Sequence, residues 1–135
     1  YMLIRKALEA EAVLVVTGTH SPELIDTLQR NMSYKRAAVE IDDQNGFHER
    51  DLEFHDIIFG DMRFTKVKGV IENTRANLDR ARRLILTPRR LSVTLAEHQR
   101  ILDGITAGDA AIASAAMRAH IELVRGEYEI YAVSV

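Results

Sequence analysis

The sequence predicts an all-α protein, an antiparallel bundle of about six helices, on three observations. Apolar residues recur at spacings of three and four along nearly the whole chain, the period of a helix face and not of a strand. Only two prolines and seven glycines interrupt that pattern. The breaks that do occur are short connections between periodic segments, with no linker, no internal repeat and no low-complexity stretch.

Each element has a local reason. Leu3, Leu8, Ala12 and Val15 set a first helix, which ends near Thr17-Gly18, where glycine suits a C-terminal cap. Ser21-Pro22-Glu23 reads as N-cap, first helical residue and first-turn acid of a second helix reaching about residue 39. IDDQNG connects it to a third helix over roughly 46–59, and a long fourth covers about 63–86. Thr87-Pro88 breaks that one, and a fifth follows over roughly 92–106. Ala107-Gly108-Asp109 then supplies a C-cap glycine and an N-cap aspartate, so a sixth helix starts near Ala110.

Size and composition bound the function. At 135 residues the chain makes one domain, 1–135, long enough for a real core. No apolar run approaches the roughly 20 residues needed to cross a bilayer. The opening YMLIRKALEAEAVLVVTG is broken by Arg5, Lys6, Glu9 and Glu11, so neither a signal peptide nor a membrane anchor is expected there. The chain has no cysteine, which excludes a disulfide framework and a thiolate metal site. A cytoplasmic location is the expectation. The net charge of −2 argues against binding nucleic acid through bulk electrostatics.

Four side chains stand out because they occupy inward positions without being apolar. Asp51 and His55, four apart, join or flank the stripe of Phe47, Phe54 and Ile58. His98 falls in the gap of a stripe made by Leu91, Leu95, Leu102 and Ile105. His120 falls in the gap of another made by Ala113, Met117, Val124 and Tyr128. A polar group turned inward costs free energy unless partnered, and an ionised one costs more. Four such groups converging would share a partner most simply in one divalent cation. Imidazole with carboxylate suits zinc, nickel, manganese or iron. Spacing leaves two plainer readings open: hydrogen-bonded core histidines, and an i,i+4 ion pair between Asp51 and His55. His20, beside a helix cap, and His48, off the Phe47 stripe, read as surface residues.

These residues lie within segments that resemble the FadR C-terminal (FCD) effector-binding domain of GntR-type bacterial transcription regulators. The segments are Arg5 through Glu9 (RKALE), Phe47 through His55 (FHERDLEFH), Glu97-His98 with Ile101-Leu102, Ala107 through Ala110 (AGDA), and Met117 through His120 (MRAH). They keep the family's order and spacing from about residue 1 to 124. The resemblance is to the metal-binding branch and implies a divalent ion, most often zinc, with nickel or manganese as alternatives, held by Asp51, His55, His98 and His120. It also implies a winged helix-turn-helix ahead of this domain in the parent protein, so that DNA would be bound only through that part. Two departures stand away from the ligand positions: Asp61, where the family often has asparagine, and Thr17-Gly18 in place of alanines.

The function implied is sensing of a small carboxylate, which would coordinate the metal while a cation holds its other end. Arg5 is the first candidate cation, because resembling domains place a ligand-contacting arginine in this helix; pairing with Glu9 at the surface is the plainer reading. Arg75, Arg80, Arg82, Arg83, Arg89 and Arg90 crowd the end of the fourth helix and the following loop. Most such clusters are solvated faces, and Arg80 is the second candidate ligand contact. A homodimer is expected from the resemblance and from Val67, Val70, Ile71, Thr74 and Leu78 on the fourth helix, more apolar surface than one bundle face needs. The rival classes are a metalloenzyme of hydrolase or oxygenase type using the same four ligands, and a purely structural helical module.

Overall fold

Helix α1 (Met2–Gly18) carries the first apolar row and turns Ala12, Val13 and Val16 fully inward. It is followed in the computed structural model by α2 (Leu24–Glu40), α3 (Gln44–Met62), α4 (Pro88–Thr106) and α5 (Ala110–Ser134). The structure describes residues 2–62 and 88–134, with side chains over 6–62 and 91–124. Among these residues the fold is all-α, without a strand. The helix expected over 63–86, its apolar stripe from Val67 to Leu78 and its arginines, Arg80 included, lie outside the described residues. So do the side chains of Arg5, Arg89, Arg90 and Tyr128.

The helices pack in an order that brings distant sequence together. α1 lies chiefly against α5 and also touches α3. α4 pairs with α5, and α2 packs between α3 and α4. Lys6 near the start of α1 meets Glu122 on α5 at 2.5 Å. Every described helix contributes to one core, led by Val13, Leu28, Phe54, Ile101 and Met117. Each large side chain buried there is worth roughly 1.5–3 kcal/mol relative to exposure. A satellite cluster of Ala38, Phe47 and Leu91 joins α2, α3 and α4.

Two of the expected caps depart from the sequence reading, the first being Gly18, which ends α1 without the left-handed φ of a glycine cap. Gly108 takes a left-handed φ of 70° after α4. Its N–H donates to Ile105 O and the Asp109 N–H to Gly104 O, both at 3.0 Å, which is the two-bond pattern of a glycine-terminated helix. Asp109 then caps α5, accepting from Ile112 N–H at 3.1 Å. After α2, Asp42 takes the left-handed position at φ 54° and Asp43 caps the next helix, accepting from Gly46 N–H at 2.9 Å. Gly104 is needed for a different reason: a Cβ there would stand 2.7 Å from the backbone of Ala113, so only glycine lets α4 and α5 approach this closely.

The second departure is Ser21, expected to cap α2. Helix α2 starts instead at Leu24, and its cap position is Glu23, which makes no side-chain cap bond. Ser21 is drawn away by Asp61 at the end of α3. The Ser21 N–H and hydroxyl both donate to that carboxylate, at 3.0 and 2.5 Å. Two charge-assisted bonds outweigh the one bond that a serine cap supplies. They tie the α1–α2 turn to α3, which gives Asp61 a structural role.

Candidate metal centre

The four residues singled out by spacing meet in the middle of the bundle. Asp51 and His55 come from successive turns of α3, His98 from α4 and His120 from α5, and all four are buried. One ligand-type atom from each lies within 4.8 Å of the other three, so the cluster could hold a metal ion. Asp51 Oδ1 is 3.4 Å from His55 Nε2 and 3.2 Å from His98 Nε2. His98 Nε2 is 3.2 Å from His120 Nε2. Zinc–nitrogen bonds of about 2.1 Å at right or tetrahedral angles subtend edges of ~3.0–3.4 Å, which these three separations match, while the whole set spans up to 4.8 Å. His55 Nε2 is a buried nitrogen without a hydrogen-bond partner in the protein, as an atom kept for a metal would be.

The imidazoles are aimed by what stands behind them. His120 Nδ1–H donates to Glu97 Oε1 at 2.7 Å, and His55 Nδ1 lies 2.5 Å from Glu9 Oε1. At His120 the carboxylate behind Nδ1 holds the hydrogen there and leaves Nε2 with its lone pair facing inward. Both carboxylates are themselves buried. The third histidine is held differently. His98 stacks on Phe54 at 4.2 Å, its ring nearly parallel to the phenyl ring. Its Nδ1 meets the Nζ of Lys35 at 2.6 Å. Lys35, fully buried on α2, also sits 3.9 Å over the Phe54 ring, a cation–π placement.

Burial dominates the electrostatics. Desolvation pulls Lys35 from 10.5 down to about 7, against the opposing pull of Asp51 and Glu53. Desolvation likewise lowers His120 to about 4, partly offset by its bond to Glu97. His98 falls well below the ordinary histidine range, from desolvation first and then from the neighbouring Lys35 charge. Without a metal this core therefore resists protonation, the state a metal ligand needs.

Three functional residues and one histidine escaped the sequence reading. Glu9 is buried and faces His55. Glu97 and Lys35 were left unassigned because charged residues on helices are usually solvated. Spacing alone points to all three: Glu9 precedes Val13 and Val16, Lys35 follows Leu28 and Met32, and Glu97 lies between Thr94 and Ile101, each at helical intervals. His48, read as a surface residue, is 0% exposed. It sits three residues before Asp51 and seven before His55, on their inward row, and that row decides its place more than the Phe47 stripe does. His20 is half-buried at the α1–α2 turn, its Nδ1 donating to Ser21 O at 2.8 Å, away from the cluster. Asn31 adds a brace, its amide donating to Arg50 O at 2.8 Å and Glu53 Oε1 at 3.1 Å to fix α2 on α3.

The domain is thus a helical bundle with one aspartate and three histidines gathered in its core. Residues 2–123 match the FCD domain, and the chain belongs to that family. Among curated proteins it is similar to an uncharacterised HTH-type transcriptional regulator in an unstable DNA locus of Streptomyces ambofaciens, 28% identical over 130 residues. That match takes in 93% of this chain and 53% of the relative, so the chain spans about half the length of the curated protein it matches. The family is one of transcription regulators and not of enzymes, which removes the metalloenzyme reading. Among the described residues no helix is long and apolar enough to cross a membrane.

Proposed function

We propose that residues 1–135 form the effector-sensing domain of a GntR-type regulator, with a divalent ion held by Asp51, His55, His98 and His120. Zinc is the first candidate, nickel and manganese the alternatives. A small carboxylate binds at that ion and modulates DNA binding by a winged helix-turn-helix elsewhere in the parent protein, in the cytoplasm. The observation that carries the reading is the convergence of three Nε2 atoms and one carboxylate, two of the imidazoles backed by buried acids. When bound, the ion supplies a Lewis-acidic contact for carboxylate oxygens. Membership of a regulator family and an HTH-type relative support the role.

Arg5 remains the first candidate to hold the effector's other oxygens. It lies four residues before Glu9 in the sequence of α1. Arg80 is proposed as a second contact. Calorimetry across a panel of hydroxy acids, sugar acids and amino-acid relatives tests this. Binding should vanish when the metal is stripped, and Arg5→Ala should weaken it about tenfold or more while retaining the metal. Acids that bind equally well to the metal-free Asp51→Ala/His55→Ala variant would move the sensing site elsewhere.

We also propose a two-fold homodimer, since GntR-type regulators act on two-fold operators. Sedimentation equilibrium should give twice the 15.3 kDa chain mass. A monomer at high concentration would remove the dimer from this domain.

A further inference from the structure

We propose that metal binding fastens helix α1 to the bundle through Glu9, so that occupancy of the centre changes the docking of a helix that supplies none of the ligands. The inference rests on the metal centre proposed above. The four ligands come from α3, α4 and α5. Helix α1 reaches them through Glu9, whose Oε1 lies 2.5 Å from His55 Nδ1, both side chains being 0% exposed. Two polar atoms this close share a hydrogen, and the coupling is the same whichever of them carries it. The other ring nitrogen, Nε2, faces Asp51 Oδ1 at 3.4 Å and makes no hydrogen bond within the protein. One rigid ring therefore touches the ion site with one edge and α1 with the other.

The contact matters because, over residues 6–12, α1 turns few large side chains inward. The buried ones are Glu9, Ala10 and Ala12, and Leu8 is half-buried. Two alanines bury little apolar area, and the larger Val13 and Val16 come further along the helix. Lys6 meets Glu122 on α5 at 2.5 Å, but both groups are partly exposed, and such surface pairs are weak. The first half of α1 is thus the part that can open while the rest of the core stays closed. Opening takes Glu9 away from His55. A ligand histidine that loses the group orienting it binds its metal about 10–100-fold less tightly. Linkage makes the effect reciprocal, so the metal favours the docked form of α1 by the same factor.

Hydrogen exchange of the wild-type chain, titrated with zinc, tests this over residues 9–12 and separately over α3, α4 and α5. The amides of 9–12 should slow by about 10–100-fold as the site fills and then stay constant, because α1 opens with the ion still in place. Amides that exchange only on global unfolding keep slowing as free zinc rises. Glu9→Met keeps the length of the side chain and removes its polar end. At zinc concentrations that restore full occupancy, it should lose the slowing at 9–12 and keep that over α3, α4 and α5. Its zinc affinity, read by competition with a chelator of known strength, should fall by the same factor. The wild-type titration decides alone if the variant does not fold. Exchange at 9–12 that ignores zinc, that slows without limit as the core does, or that Glu9→Met leaves as slow as in wild type overturns the role of Glu9. A wild-type chain that binds no zinc at all overturns the metal centre and this coupling with it.

Discussion

His120→Ala should purify without metal, where the wild-type chain carries close to one divalent ion. The four-ligand total for a structural zinc is about 10–16 kcal/mol, so one ligand accounts for roughly 3–4 kcal/mol, or two to three decades of affinity. The loss is deepened here because Glu97, which aims the imidazole from behind at 2.7 Å, is left as a buried acid without its partner. His98→Ala should lose metal too. Elemental analysis and zinc competition read both results. Full occupancy in His120→Ala would sink the four-ligand site. So would a wild-type protein that lacks metal and whose melting temperature ignores both chelator and added zinc.

How much of this was legible in the sequence depends on what each residue competes with. The helices were legible because period and cap agreed: Gly108 and Asp109 end one helix and begin the next where spacing says they must. The ligand set was legible because histidine and aspartate in the gap of an apolar stripe have no solvent to face. The residues behind them were not, although their spacing is just as regular. A lysine three residues after a buried methionine is ordinarily solvated. Only the approach of α2 to α4 closes that route and turns Lys35 onto His98. Ser21 failed for the same kind of reason. A local rule made it a cap, and a carboxylate forty residues later in the chain offered two stronger bonds. Local signals give elements; pairings across elements decide which side chains leave those rules.

Stripped of metal, the chain should lose stability steadily as pH falls from about 9 to about 4, and zinc should rescue it at neutral pH but not in acid. Three buried groups act in the same direction. Folded His120 titrates at about 4 against 6.5 in the unfolded chain, and His98 is likewise shifted well down. Between those values and 6.5 the unfolded state binds more protons, so stability is complete above 6.5 and is lost as pH falls towards the folded values. Lys35 titrates at about 7 when folded and 10.5 when unfolded. Its burial therefore opposes folding in full below 7 and is progressively relieved as pH rises from 7 to 10.5. At 1.36 kcal/mol per pKa unit, His120 alone accounts for roughly 3 kcal/mol across its window, a large part of a small domain's stability. Zinc at a thousand times its dissociation constant adds about 4 kcal/mol, but only where the imidazoles are unprotonated in the unliganded chain. Melting curves of chelated and zinc-loaded protein at pH 5, 7 and 9 measure both effects. A chelated protein as stable at pH 5 as at pH 9 would mean that these groups are solvated in solution, and the buried network of Lys35, His98 and His120 would have to be abandoned.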